Sequence, residues 1–103
     1  MIYLNPNEQP IIEKLVQICE PYRGQIFTLK WQTGSYTAKF LCMIEDLTDE
    51  LDDDDPAFEE YWSFWFEVLE VHGHPPVEPF HGSLLVNYHN FPEEILHAGV
   101  KVN

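Results

Sequence analysis

Positive charge is what this sequence has least of: five Lys or Arg stand against eighteen Asp or Glu, a formal net charge of −13. So few cations cannot neutralise a phosphate backbone or an anionic lipid surface, so direct binding to nucleic acid or membrane is not expected. Cysteine is scarce too. Cys19 and Cys42 are too few for the disulfide framework of a small secreted domain, which points to a reducing compartment. They are read as small buried hydrophobes, with pairing left open. No apolar run reaches the roughly 18 to 20 residues that span a bilayer. The opening Met1-Ile2-Tyr3-Leu4-Asn5-Pro6 has neither the basic start nor the long apolar stretch of a signal peptide, so the expected location is the cytoplasm.

What is present is enough for one core. Hydrophobic residues make up 45% and aromatics 15%, well above the content of disordered acidic chains. The 103 residues suit a single domain, residues 1–103. Residues 7–20 predict a helix: Ile11, Ile12, Leu15, Val16, Ile18 and Cys19 share one face and Glu13, Lys14, Gln17 and Glu20 the other. Asn7 is the expected N-cap, and Pro10 falls where a missing N–H costs least.

Residues 25–33 then alternate, with Phe27, Leu29 and Trp31 on one face. Gly34-Ser35 is the expected turn into a second strand, which places Ala38, Phe40, Cys42 and Ile44 together. Residues 61–71 read as a central strand with two apolar faces: Trp62, Phe64, Phe66 and Val68 on one, Tyr61, Trp65, Leu69 and Val71 on the other. The proline-bearing stretch 72–82 must be a loop. Leu84, Val86 and Tyr88 mark a fourth strand, residues 90–99 a short helix closed by Gly99, and residues 100–103 a short edge strand.

The expectation is therefore an α+β fold: an N-terminal helix on one face of a four- to five-stranded, mainly antiparallel sheet, with a short C-terminal helix. One helix cannot cover both faces. Surplus aromatics on the second face would form an interface, with a partner or with a second copy as a homodimer.

The most informative stretch is the acidic loop at residues 45–60, which holds ten Asp or Glu and no Lys or Arg, leaving only −3 for the rest of the chain. A calcium-loop reading that starts at Asp49 and ends at Glu60 fails, because Leu51 takes the third ligand position and Asp54 the place of the turn glycine. Two readings stay open. One is a solvated, solubilising loop. The other is a protein-binding surface in which Asp49, Glu50, Asp52, Asp53, Asp54, Asp55, Glu59 and Glu60 steer a basic partner and Phe58, Tyr61 and Trp62 anchor it.

Asp52 to Asp55, Glu59 and Glu60 beside Phe58, Tyr61 and Trp62 resemble, in size, charge and local composition, the acidic aromatic faces of small bacterial immunity proteins. That resemblance implies a basic toxin, such as a nuclease, as partner, and inhibition rather than catalysis as role. DNA-mimic inhibitors share the same character.

Other constellations carry less. His72, His74 and His81 with Glu78 are the alternative metal or ligand site of a small enzyme. Glu67 and Glu70 are an odd number apart on a strand and cannot share one site. Ser83 lacks a nucleophile elbow and Cys42 an activating neighbour. The chain is read as a non-enzyme needing no cofactor.

Overall fold

The computed structural model describes residues 4–47 and 60–103. One helix, α1 (Gln9–Cys19), lies against a sheet of six strands: β1 (Ile26–Trp31), β2 (Gly34–Leu47), β3 (Glu60–Gly73), β4 (Ser83–Val86), β5 (Glu94–His97) and β6 (Val100–Lys101). The order across the sheet is β4-β3-β2-β1-β5-β6, and every neighbouring pair is antiparallel. The α+β class and the single N-terminal helix follow the expectation. Among the described residues the strands number six rather than four to five, and no C-terminal helix forms.

The C-terminal difference has a clear cause. Ile95 pairs with Leu29 on the free edge of β1 and is fully buried, a return that a short exposed helix could not supply. Ala98 (φ 53°) and Gly99 (φ 80°) turn β5 into β6. The left-handed glycine expected to close a helix closes a hairpin instead.

The helix starts two residues later than periodicity implied. The side-chain cap is Asn5, not Asn7, and it caps the turn that leads into α1: the Asn5 side chain accepts from the Asn7 N–H at 2.9 Å, and Glu8 reaches back to the Asn5 N–H at 3.0 Å. Between them lies a 3-10 turn, Pro6–Glu8. Ile12, Leu15, Ile18 and Cys19 then pack onto Phe27, Leu29, Tyr36, Ala38, Phe40, Phe64 and Phe66 from the sheet. Burial of each large side chain here stabilises by about 1.5–3 kcal/mol. Phe40 sits among aromatic neighbours, 5.6 Å from Phe64 and 5.4 Å from Phe66 between centroids.

The β1–β2 turn is Gln32-Thr33, since Trp31 pairs with Gly34. Gly34 is not needed for positive φ. It is needed for space, because a Cβ there would lie 2.6 Å from both the His72 carbonyl oxygen and the His74 nitrogen.

Two bulges interrupt the long β2–β3 ladder. Leu41 has no partner between the pairs Phe40–Phe66 and Cys42–Trp65, and Leu69 has none between Val68–Ala38 and Glu70–Thr37. A bulge shifts side-chain alternation by one. Past Leu41 it is Met43 that joins the core, while Cys42 and Ile44 face away from the helix with Trp65, correcting the expected grouping of Ala38, Phe40, Cys42 and Ile44. Past Leu69, Val71 pairs with Tyr36 and leaves the company of Trp65.

Candidate functional site

Leu47 pairs with Glu60, so β2 and β3 stay zipped to the last described residue of the one and the first of the other. Asp49, Glu50, Asp52, Asp53, Asp54, Asp55, Phe58 and Glu59 lie outside the described residues. Glu60, Tyr61 and Trp62 are described, and the two aromatics part company. Trp62 is half-buried on the helix side, packed against the core, and its backbone N–H donates to the Glu8 carboxylate at 2.8 Å. Tyr61 points to the other, open face. There it meets Tyr88 edge-on at 6.1 Å and His89 edge-on at 5.2 Å, while Tyr88 and His89 overlap at 4.1 Å.

A polar chain fastens this end of the open face. Ser63, fully buried, donates from its hydroxyl to Asp46 Oδ2 at 3.0 Å and accepts from Asn87 Nδ2 at 3.3 Å. Asn87 and Asn90 also close the turn after β4: the Asn87 N–H donates to Asn90 Oδ1, the His89 N–H to Asn87 Oδ1, and Asn90 Nδ2 to the Leu85 carbonyl. Asparagine suits such turns because its side chain can replace a backbone partner.

Next to this chain the open face is apolar. Ile44, Trp65 and Leu85, from β2, β3 and β4, form a groove of about 280 Å³ together with Phe80, His81 and Ser83. Phe80 is 77% exposed, yet it is held in place. Its N–H donates to the Ser83 carbonyl at 2.8 Å and its carbonyl accepts from the Ser83 N–H at 2.9 Å, around the left-handed pair His81 (φ 50°) and Gly82 (φ 78°). The His81 ring stands edge-on to Phe80 at 4.2 Å. A rigid two-residue turn thus presents an aromatic ring at the groove's rim.

Charge is segregated along the chain. No Lys or Arg occurs between Lys39 and Lys101, so the outer part of β2, all of β3 and all of β4 are free of cations. Asp46, two residues from Ile44, and Glu67, two residues from Trp65, share the groove's face by strand alternation. Lys39 stands opposite Glu67 in the ladder, and Lys30 is 3.9 Å from Glu94 on the far half of the sheet.

The histidine constellation is dispersed. His72 Nε2 contacts Glu70 at 3.2 Å, the His74 N–H donates to the Thr33 carbonyl, and His81 lies against Phe80. Glu78 acts on Tyr36, whose phenol is pushed up first by burial and second by that carboxylate. Among the described residues no three His, Cys, Asp or Glu side chains converge as metal ligands. Both cysteines are free thiols. Burial, and secondarily the Glu20 charge, push the Cys19 thiol up to about 12, which suppresses the nucleophilic thiolate.

Sequence reasoning places Trp65 on the second apolar face of β3 but groups Ile44 with Phe40, and it gives no role to Leu85 or Phe80. The available signal was the surplus of aromatics on β3, which demanded a second apolar face; the bulge that brings Ile44 to that face left no mark in the pattern. No protein family, no curated protein and no solved structure matches this chain.

Proposed function

We infer that this chain is a protein-binding domain that engages a basic partner through its acidic, aromatic-flanked end, in the manner of a bacterial immunity protein that neutralises a toxin such as a nuclease. The observation that carries the reading is the segregation of charge: ten carboxylates without a cation in residues 45–60, joined to two strands that hold their register as far as Leu47 and Glu60. A concentrated single-sign field of this kind accelerates encounter with an oppositely charged protein. Glu60 closes that segment in sequence and begins β3, with Tyr61 next to it.

The chemistry asked of the chain is association alone. Carboxylates steer the partner, and aromatic side chains, once desolvated, slow its departure. Cytoplasmic location and a bacterial setting belong to the same proposal.

The test begins with a pull-down on the full chain at low salt with elution by a salt gradient, followed by kinetics with the purified, eluted protein. The association rate should fall by about tenfold or more between low and physiological ionic strength, and fall similarly in the variant with Asp52, Asp53, Asp54 and Asp55 all changed to Asn. A rate indifferent to both changes would sink the reading.

A further inference from the structure

We propose that the groove of Ile44, Trp65, Phe80 and Leu85 is the anchoring socket for a single large apolar side chain of a basic polypeptide partner, flanked there by lysine or arginine; this deepens, and rests on, the basic-partner reading above. The groove lies on the open sheet face, opposite the helix, and its volume of about 280 Å³ is at or below the lower end of small-molecule sites, which run from roughly 300 Å³ upward. One phenylalanine-sized side chain suits it better than a cofactor.

Three observations fix the socket as an anchor site. Trp65 is 36% and Phe80 77% exposed, so an aromatic ring carried on a hydrogen-bonded turn and a half-open indole together leave apolar surface in contact with water. The walls come from three neighbouring strands and one tight turn, so the socket exists before a partner arrives and little ordering is needed on binding. Trp62, the aromatic expected to anchor, faces the core instead. Trp65 is the β3 tryptophan turned outward.

Charge chooses the occupant. The socket's residues Ile44, Trp65, Phe80 and Leu85 all fall in the stretch between Lys39 and Lys101 that holds no Lys or Arg, and Asp46 and Glu67 stand on the same face, Glu67 opposite Lys39 in the ladder. A second copy would bring a net charge of −13 against −13. A basic partner relieves that repulsion and meets the carboxylates with its own cations. The proposed order is steering by the acidic field, then insertion of the anchor between Trp65 and Phe80.

The experiment uses the isotopically labelled full chain and three pentapeptides: phenylalanine between pairs of lysines, alanine between pairs of lysines, and phenylalanine between pairs of glutamates. NMR titration follows the Trp65 indole N–H and the methyls of Ile44 and Leu85. The lysine–phenylalanine peptide should shift these signals and bind about fivefold or more tightly than its alanine counterpart, as expected for partial burial of one aromatic ring. The glutamate peptide should leave them unmoved. Phe80→Ser, at an exposed position that the fold does not depend on, should remove most of the difference between the two lysine peptides; Trp65→Ser should do the same.

Equal binding of both lysine peptides with no shift at the groove overturns the socket while leaving the basic-partner reading standing. Equal engagement of the groove by the glutamate peptide overturns the choice of a basic occupant. A dimer at micromolar concentration in sedimentation, dissociated by Phe80→Ser, assigns the groove to a second copy and overturns the proposal. Silence from every lysine peptide at low salt overturns the socket, while the basic-partner reading is decided by the salt and Asp→Asn kinetics described above.

Discussion

The carboxylate of Glu8 accepts the backbone N–H of Trp62 at 2.8 Å, tying the turn before α1 to the first residues of β3 across 54 positions of sequence. The same carboxylate takes the N–H groups of Leu4 at 3.2 Å and Asn5 at 3.0 Å, and Glu8 is fully buried. One side chain therefore closes the capping box and occupies a donor of β3 at a point beyond the reach of β4, whose pairing with β3 begins at Phe64. A carboxylate serves three donors where a neutral side chain serves fewer.

Glu8→Ala should consequently destabilise the fold by about 2–3 kcal/mol, since it strands buried donors rather than merely deleting a contact. Glu8→Gln, which keeps one acceptor oxygen, should cost less. Urea unfolding of the two variants against the parent chain checks the order. Equal stability of all three would mean that the Trp62 N–H finds another acceptor.

Gly34→Ala tests the close approach of the β1–β2 turn to the end of β3. The new methyl would meet backbone atoms of His72 and His74 at 2.6 Å, and backbone cannot swing aside as a side chain can, so a loss of about 1–3 kcal/mol is expected. Gly24→Ala is the contrast. Nothing lies within 4 Å there, but φ is +84°, and the expected cost is about 1 kcal/mol from conformation alone. Thermal melts of both variants separate steric from conformational strain.

Ser63→Ala should loosen the open face near Tyr61. It removes the link between Asp46 and the buried Asn87 amide, and an unpartnered buried amide costs about 1–2 kcal/mol. Hydrogen exchange at the Asn87 and His89 amides should quicken in this variant while the amides of β1 and β2 near Phe40 stay protected.

Alkali should weaken the fold. Tyr36 and Cys19 are both held above their ordinary ranges in the folded chain, Cys19 at about 12, so the folded state keeps protons that the unfolded state gives up. For such groups the stabilisation is complete below the unfolded value and is lost as pH rises toward the folded one. Stability measured by urea unfolding should be level between pH 7 and about pH 8, then decline from about pH 8.5 upward as an unfolded thiol begins to ionise. Cys19→Ala with Tyr36→Phe should flatten that decline.

Much of this architecture could be read from residue order. The helix face from Ile12 to Cys19, the alternation of Phe27 and Leu29, and the double-sided strand around Phe64 and Phe66 were visible because periodicity reports burial directly. The misreadings were local. Spacing points to Asn7 rather than Asn5 because a 3-10 turn separates the capping residue from the helix. Residues 94–97 looked helical because the acids and proline before them and the glycine after them fit a helix; only the free edge of β1, known from the assembled sheet, makes them a strand. The candidate site was half legible. The surplus aromatics of β3 announce a second apolar face, but the groove depends on a bulge, and an unpaired residue on a strand has no signature in composition or spacing.

Leu41 sets the parity of everything after it on β2. Before it, even-numbered positions point at the helix; after it, odd-numbered ones do. Ile44 meets Trp65 on the open side because one residue is skipped in the count. A single extra residue opposite it, between Trp65 and Phe66, would give Leu41 a partner and turn Trp65 inward and Phe64 outward. In this fold a recognition surface can thus be created or erased by one inserted codon, without any substitution among the residues that form it.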